Sequence, residues 1–116
     1  MHFRWYVDYL SLNETLPQGS SLLIWDSRSY YLDFQTERLY LIARKDPFPN
    51  RMKEPDYVRT RVEELGSDYV VLWPEVRHHT SDPPGRWVED SLHELCGEVW
   101  PVVYLSEKMM VCEGVP

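Results

Sequence analysis

At 116 residues, 43% apolar and 27% charged, the chain has the size and balance of one folded domain rather than of a disordered segment. A net charge of −7 argues against a general affinity for phosphate backbones. Cys96 and Cys112 allow one bridge, but without a secretory pattern they read as buried reduced thiols of a protein that is cytoplasmic or intracellular in a host, and no apolar run reaches membrane-spanning length.

Residues 2–10 alternate Phe3, Trp5, Val7 and Tyr9 against His2, Arg4, Tyr6 and Asp8, and this period of two predicts a strand with one buried face. Residues 11–19 carry Asn, Pro and Gly and read as a loop. The Asn13-Glu14-Thr15 sequon inside it has meaning only in a secreted chain, so it is set aside. Residues 20–44 organise the reading. They hold apolar runs at 22–25, 30–34 and 39–42, separated by polar breaks at 26–29 and 35–38, which predicts a β-meander. One side of it carries Tyr30, Leu32, Phe34, Leu39, Leu41 and Ala43. The other carries Tyr31, Tyr40 and Ile42, an aromatic strip that an open sheet would offer to a partner or to a second copy.

Three prolines make residues 45–55 irregular. Val58, Val62 and Leu65 then recur at helical spacing, with Pro55 suited to a first turn and Gly66 to a stop, so residues 56–65 are a three-turn helix. The continuous run of β-formers at 68–73 predicts a strand buried on both faces in the middle of the sheet. Residues 75–85 read as a loop, broken most strongly at Asp82-Pro83-Pro84-Gly85. Val88, Leu92, Leu95 and Val99 mark an amphipathic helix over 86–98. Residues 102–105 and 109–112 form a hairpin around Ser106-Glu107-Lys108. The expected fold is a single α+β domain over 1–116. It is an antiparallel meander extended by further strands, with two short amphipathic helices packed on the sheet.

Chemistry-bearing patterns are sparse. His93 and Cys96, at i and i+3 on a helix, could share an ion with His78 or His79, but paired CxxC or HExxH spacing is absent. Neither cysteine sits in a nucleophile motif, and there is no Gly-x-Ser-x-Gly or phosphate-cradling glycine loop. Asp26 and Asp33-Phe34-Gln35 loosely resemble the carboxylate pair of the metal-dependent nuclease core, PD-(D/E)xK, with Gln35 standing where that core has lysine. That resemblance implies a metal-dependent phosphodiesterase as an alternative. No cofactor is implied.

The charge layout is uneven. Residues 38–61 hold seven cations against Asp46, Glu54 and Asp56, a net of +4 in a chain of −7. Phe48 and Arg51 lie in its proline-rich loop, and an apolar anchor flanked by arginines suits a protein-binding loop or a grip on single-stranded nucleic acid. On the second helix Glu89, Asp90, Glu94 and Glu98 are expected to face away from the apolar stripe, as a carboxylate face for a basic surface. The function expected from these features is binding to a protein partner with a basic surface, as inhibitors, immunity proteins or viral host-modulating proteins do. Its contacts would be Glu89, Asp90, Glu94, Glu98, Tyr31, Tyr40, Phe48 and Arg51.

Overall fold

The structure, a computed structural model, describes residues 3–24, 34–77 and 81–114. In chain order it runs α1 (Phe3–Thr15), β1 (Ser21–Ile24), β2 (Gln35–Arg38), α2 (Leu39–Lys45), a 3-10 helix (Pro49–Lys53), α3 (Pro55–Leu65), β3 (Tyr69–Leu72), α4 (Pro83–Leu95), β4 (Val102–Leu105) and β5 (Met110–Glu113). The strands form one mixed sheet in the order β2-β1-β3-β5-β4. β1 pairs in parallel with both β2 and β3, whereas β5 runs antiparallel to β3 and β4.

The sheet is covered on both sides, which is why its central strands read as unbroken apolar runs. On one side Leu23, Val70, Leu72 and Cys112 meet Ile42 and Ala43 of α2, Met52 of the 3-10 helix, Val58 and Val62 of α3, and Val88, Leu92 and Leu95 of α4. On the other, Leu22, Ile24, Val71 and Val111 meet Leu12 of α1 and Leu16 just beyond it. Successive strand residues thus feed opposite cores, and truncating a fully buried leucine such as Leu92 to alanine should cost about 2–5 kcal/mol.

The second half follows the sequence closely. β3 lies at the centre of the sheet, and β4 and β5 form the hairpin. α3 ends at Gly66, whose φ of 73° is left-handed and whose N–H reaches the carbonyls of Glu63 and Val62. Leu65 departs from expectation, being 50% exposed rather than part of the buried stripe. α4 corrects the expected start at Arg86: the run Asp82-Pro83-Pro84-Gly85, read as a loop break, is its cap and first turn, because prolines in a first turn give up N–H groups that have no helical partner. It ends at Leu95, so Val99 falls outside it and is exposed.

The first half corrects the sequence reading. Residues 3–15 form α1, not a strand and loop. Asp8, Leu12 and Leu16 are spaced by four and buried, whereas Val7, assigned to a buried strand face, is 58% exposed. The chain leaves the helix just before Pro17, where helical backbone is disfavoured. The meander is absent as such. β1 overlaps the first apolar run, residues 25–33 are outside the described residues, and the third run lies in α2. Ile42 and Ala43 are both buried although adjacent, which one helix face allows and one strand face does not. The break at 35–38 is instead β2, and an edge strand needs few apolar side chains.

Tyr40 and Ile42 therefore sit on a helix, Ile42 is buried, and Tyr31 is outside the described residues, so the sheet strip expected for a homodimer does not form. The expectation of reduced thiols is corrected too. Cys96 and Cys112 form a disulfide, their Cα atoms 5.8 Å apart, because the end of α4 lies over β5. At the free edge, β4 exposes Val102, Val103 and Leu105, but it is short, preceded by Pro101 and interrupted by a register shift, features that blunt edge pairing. Among the described residues no helix is long and apolar enough to cross a membrane.

Candidate functional site

The loop between α2 and α3 is built on Asp46, whose side chain is fully buried. One of its oxygens, Oδ1, accepts the Phe48 N–H at 2.8 Å and the Tyr57 hydroxyl at 2.7 Å. The first of these is an Asx turn, in which a side chain fixes the backbone two residues on. Arg61 Nε stands 2.7 Å from Oδ2 as an ion pair, off the line of a well-aligned hydrogen bond, while its Nη1 donates to Glu64 at 2.8 Å. The carboxylate is thus both charge-compensated and hydrogen-bonded, which is what a buried charge requires. Its pull on the phenolic proton, reinforced by burial, raises the Tyr57 pKa from its ordinary value, with Arg61 and Arg51 opposing.

Beyond Phe48 the chain turns into the 3-10 helix through Arg51 N–H to the Phe48 carbonyl at 3.0 Å. Met52 is fully buried beneath it, and the Met52 carbonyl accepts the Ser91 hydroxyl of α4 at 3.0 Å. Lys53 Nζ lies 4.3 Å from the centre of the Trp87 ring. Arg51 lies over the Tyr57 ring at 4.1 Å and pairs with Glu54 at 3.2 Å. Phe48 stands out from this frame, 59% exposed. Between α2 and α3, Leu41, Ile42 and Leu65 line a groove of about 220 Å³ with Lys45, Arg61 and Glu64.

Phe48 and Arg51 lie in one turn, joined by a backbone hydrogen bond, and Asp46, Tyr57 and Arg61, which hold that turn, have no distinctive pattern in the sequence beyond the Asp-Pro-Phe order. In that order Asp before a turn accepts the N–H two residues on. Other members of the basic window are matched locally, Arg59 with Glu63 at 3.1 Å besides the pairs above.

The carboxylate face of α4 is smaller than expected. Glu89 is 6% exposed, and its Oε2 accepts the Arg77 N–H at 2.6 Å, so it belongs to the interior and not to an outward face. The sequence pattern missed this because a buried carboxylate with a backbone donor looks like a surface one. Asp90, Glu94 and Glu98 are exposed, Glu98 beyond the helix end. Tyr40 is on α2, and Tyr31 lies outside the described residues.

His93 and Cys96 are engaged elsewhere. His93 places Nε2 2.9 Å from the Trp73 carbonyl oxygen and Nδ1 3.0 Å from that of Glu89, and Cys96 is in the disulfide. His78, His79, Asp26 and Asp33 lie outside the described residues, and among those described no group of three or more His, Cys, Asp or Glu could hold a metal ion. Compared with family models, with curated proteins and with solved structures, the chain shows no match.

Proposed function

We propose that this domain binds another protein, with Phe48 as its apolar anchor. The observation that carries the reading is a large, exposed aromatic side chain whose own backbone N–H is held by a fully buried carboxylate. Anchors of this kind supply most of an interface's energy. Burying a phenylalanine is worth about 1.5–3 kcal/mol, and a loop already fixed in place loses little further freedom on binding. The partner would present an apolar pocket for the Phe48 ring, with Arg51, already paired with Glu54, beside it. The carboxylate contact with a basic surface keeps Asp90, Glu94 and Glu98 but has lost Glu89, so the aromatic anchor takes precedence. The single-stranded nucleic-acid alternative is weakened by the pairing of Arg51, Arg59 and Arg61 with acids of the same surface.

The test is affinity capture from the native source with wild type and Phe48→Ala side by side, followed by titration of the purified partner. Wild type should retain a partner that Phe48→Ala loses by at least tenfold in Kd, with both proteins melting at the same temperature. Equal retention of the same partner by both would overturn the reading.

A further inference from the structure

Cys96 and Cys112 are the only cysteines of the chain, and they are joined to each other. Their surroundings are those of a structural bond. Cys112 is completely buried on β5, where it stands opposite Val70 of the central strand and Val102 of the edge strand. Cys96 caps α4, its N–H bonded to the Leu92 carbonyl at 2.9 Å, and it bridges to Trp100 across a tight turn. That turn depends on Gly97, with a φ of 92°, whose N–H reaches the Trp100 carbonyl at 2.7 Å. Trp100 is in turn buried in the same core. A catalytic or sensing thiol is exposed and set among groups that stabilise a thiolate. Here one sulfur is sealed in the core, the nearby imidazole of His93 faces two backbone carbonyls, and the chain holds no third thiol to resolve an exchange.

We infer that this chain matures in an oxidising compartment, where the Cys96–Cys112 bond is made once and kept as a permanent staple between α4 and the terminal hairpin. Disulfides of this structural kind form and persist outside the reducing cytosol. The expectation of reduced thiols, which rested on the lack of a secretory pattern, gives way to the bond, and the cytoplasmic reading made beside it is set aside. Forming the bond converts two S–H groups into one Sγ–Sγ bond. Two protons and two electrons pass to a disulfide-bearing thiol oxidant, whose own disulfide is reduced to a dithiol as it leaves. The cysteines are 16 residues apart, and the loop they close contains all of β4 and its turn into β5. The hairpin whose outer strand is open to solvent is thereby tied to α4, whose Val88, Leu92 and Leu95 lie in the core.

Two measurements test this. In the native host, cells are fractionated, thiols are trapped by acid quenching and alkylation, and the mass of the full chain is read before and after reduction. The expected result is a chain recovered outside the cytosol that takes no label until reduced and then takes two. Two labels without reduction, or an intact bond on a chain recovered from the cytosol, would overturn the inference. In vitro, the oxidised wild type should melt roughly 10 °C or more above Cys96→Ser/Cys112→Ser. If that double variant does not fold, wild type purified in reduced form from a reducing cytosol takes its place. Equal melting temperatures would remove the staple.

Discussion

Two buried carboxylates, one on each side of the sheet, make the same bond and do different work. Asp46 accepts the Tyr57 hydroxyl at 2.7 Å, and Asp8 of α1 accepts the Tyr104 hydroxyl of β4 at the same distance. Around Asp46 there is also a guanidinium and a backbone N–H, so the charge is met by a charge and a loop is fixed in the process. The Asp8 contact pins a helix to an edge strand across 96 residues of sequence. A carboxylate with several partners from one short stretch shapes a surface, whereas one with a distant partner joins two elements. The candidate binding loop is on the side of the first.

That contrast can be broken in order of expected size. Asp46→Ala strips Arg61 of its buried partner and orphans the Phe48 N–H, and should cost about 2–4 kcal/mol by chemical denaturation. Its backbone amides from 46 to 51 should exchange faster with solvent while those of β3 stay protected. Asp8→Ala should cost less, about 1–2 kcal/mol, and loosen amides of α1 and β4 instead. Equal losses, or loosening in the same segment, would mean that the two sites do not differ as described.

The tyrosines sharpen the contrast at high pH. The Tyr57 pKa is raised chiefly by its hydrogen bond to Asp46, and that of Tyr104 first by burial and then by Asp8. In both, the folded state holds the phenolic proton more tightly than the unfolded chain. The stability they supply is therefore complete below the unfolded tyrosine range, about pH 10, and is lost as pH rises through the raised folded values. Tyr57→Phe and Tyr104→Phe should each flatten the decline in melting temperature above that pH, and an unchanged alkaline profile in both would contradict the bonding described. The smallest effect belongs to Phe48→Ala, which should leave stability within about 0.5 kcal/mol because the side chain stands in solvent. A larger loss would make Phe48 a packing residue rather than an anchor.

Legibility in the sequence followed how each element is buried. β3 could be read because a strand covered on both faces is an unbroken apolar run. α3 and α4 could be read because their apolar stripes share the helical period, although the prolines that start α4 look the same in sequence as a loop break. α1 could not, since Asp8 shares the buried spacing with Leu12 and Leu16, and the tyrosine that satisfies it is near the other end of the chain. A local alternation of aromatics then outweighed the true helical spacing. α2 failed for a related reason, because seven residues are too few for periods of two and 3.6 to separate. In the candidate site, Phe48 and Arg51 stood out by composition, whereas the role of Asp46 depends on Arg61 arriving from another helix. The disulfide was invisible for the same reason, since a pair of cysteines says nothing of whether a helix end will settle over a strand.

Two side chains of α4 grip the segment after β3 through its main chain, beside the stacking of the Arg77 guanidinium on the Trp73 ring at 4.2 Å. Glu89 takes the N–H of Arg77, and His93 reaches the carbonyl of Trp73. Neither grip reads a side chain. Val76, between those points and exposed, is therefore open to replacement, whereas Glu75 pairs with the Arg77 guanidinium at 2.7 Å, and a short foreign peptide displayed at Val76 should leave the scaffold undisturbed.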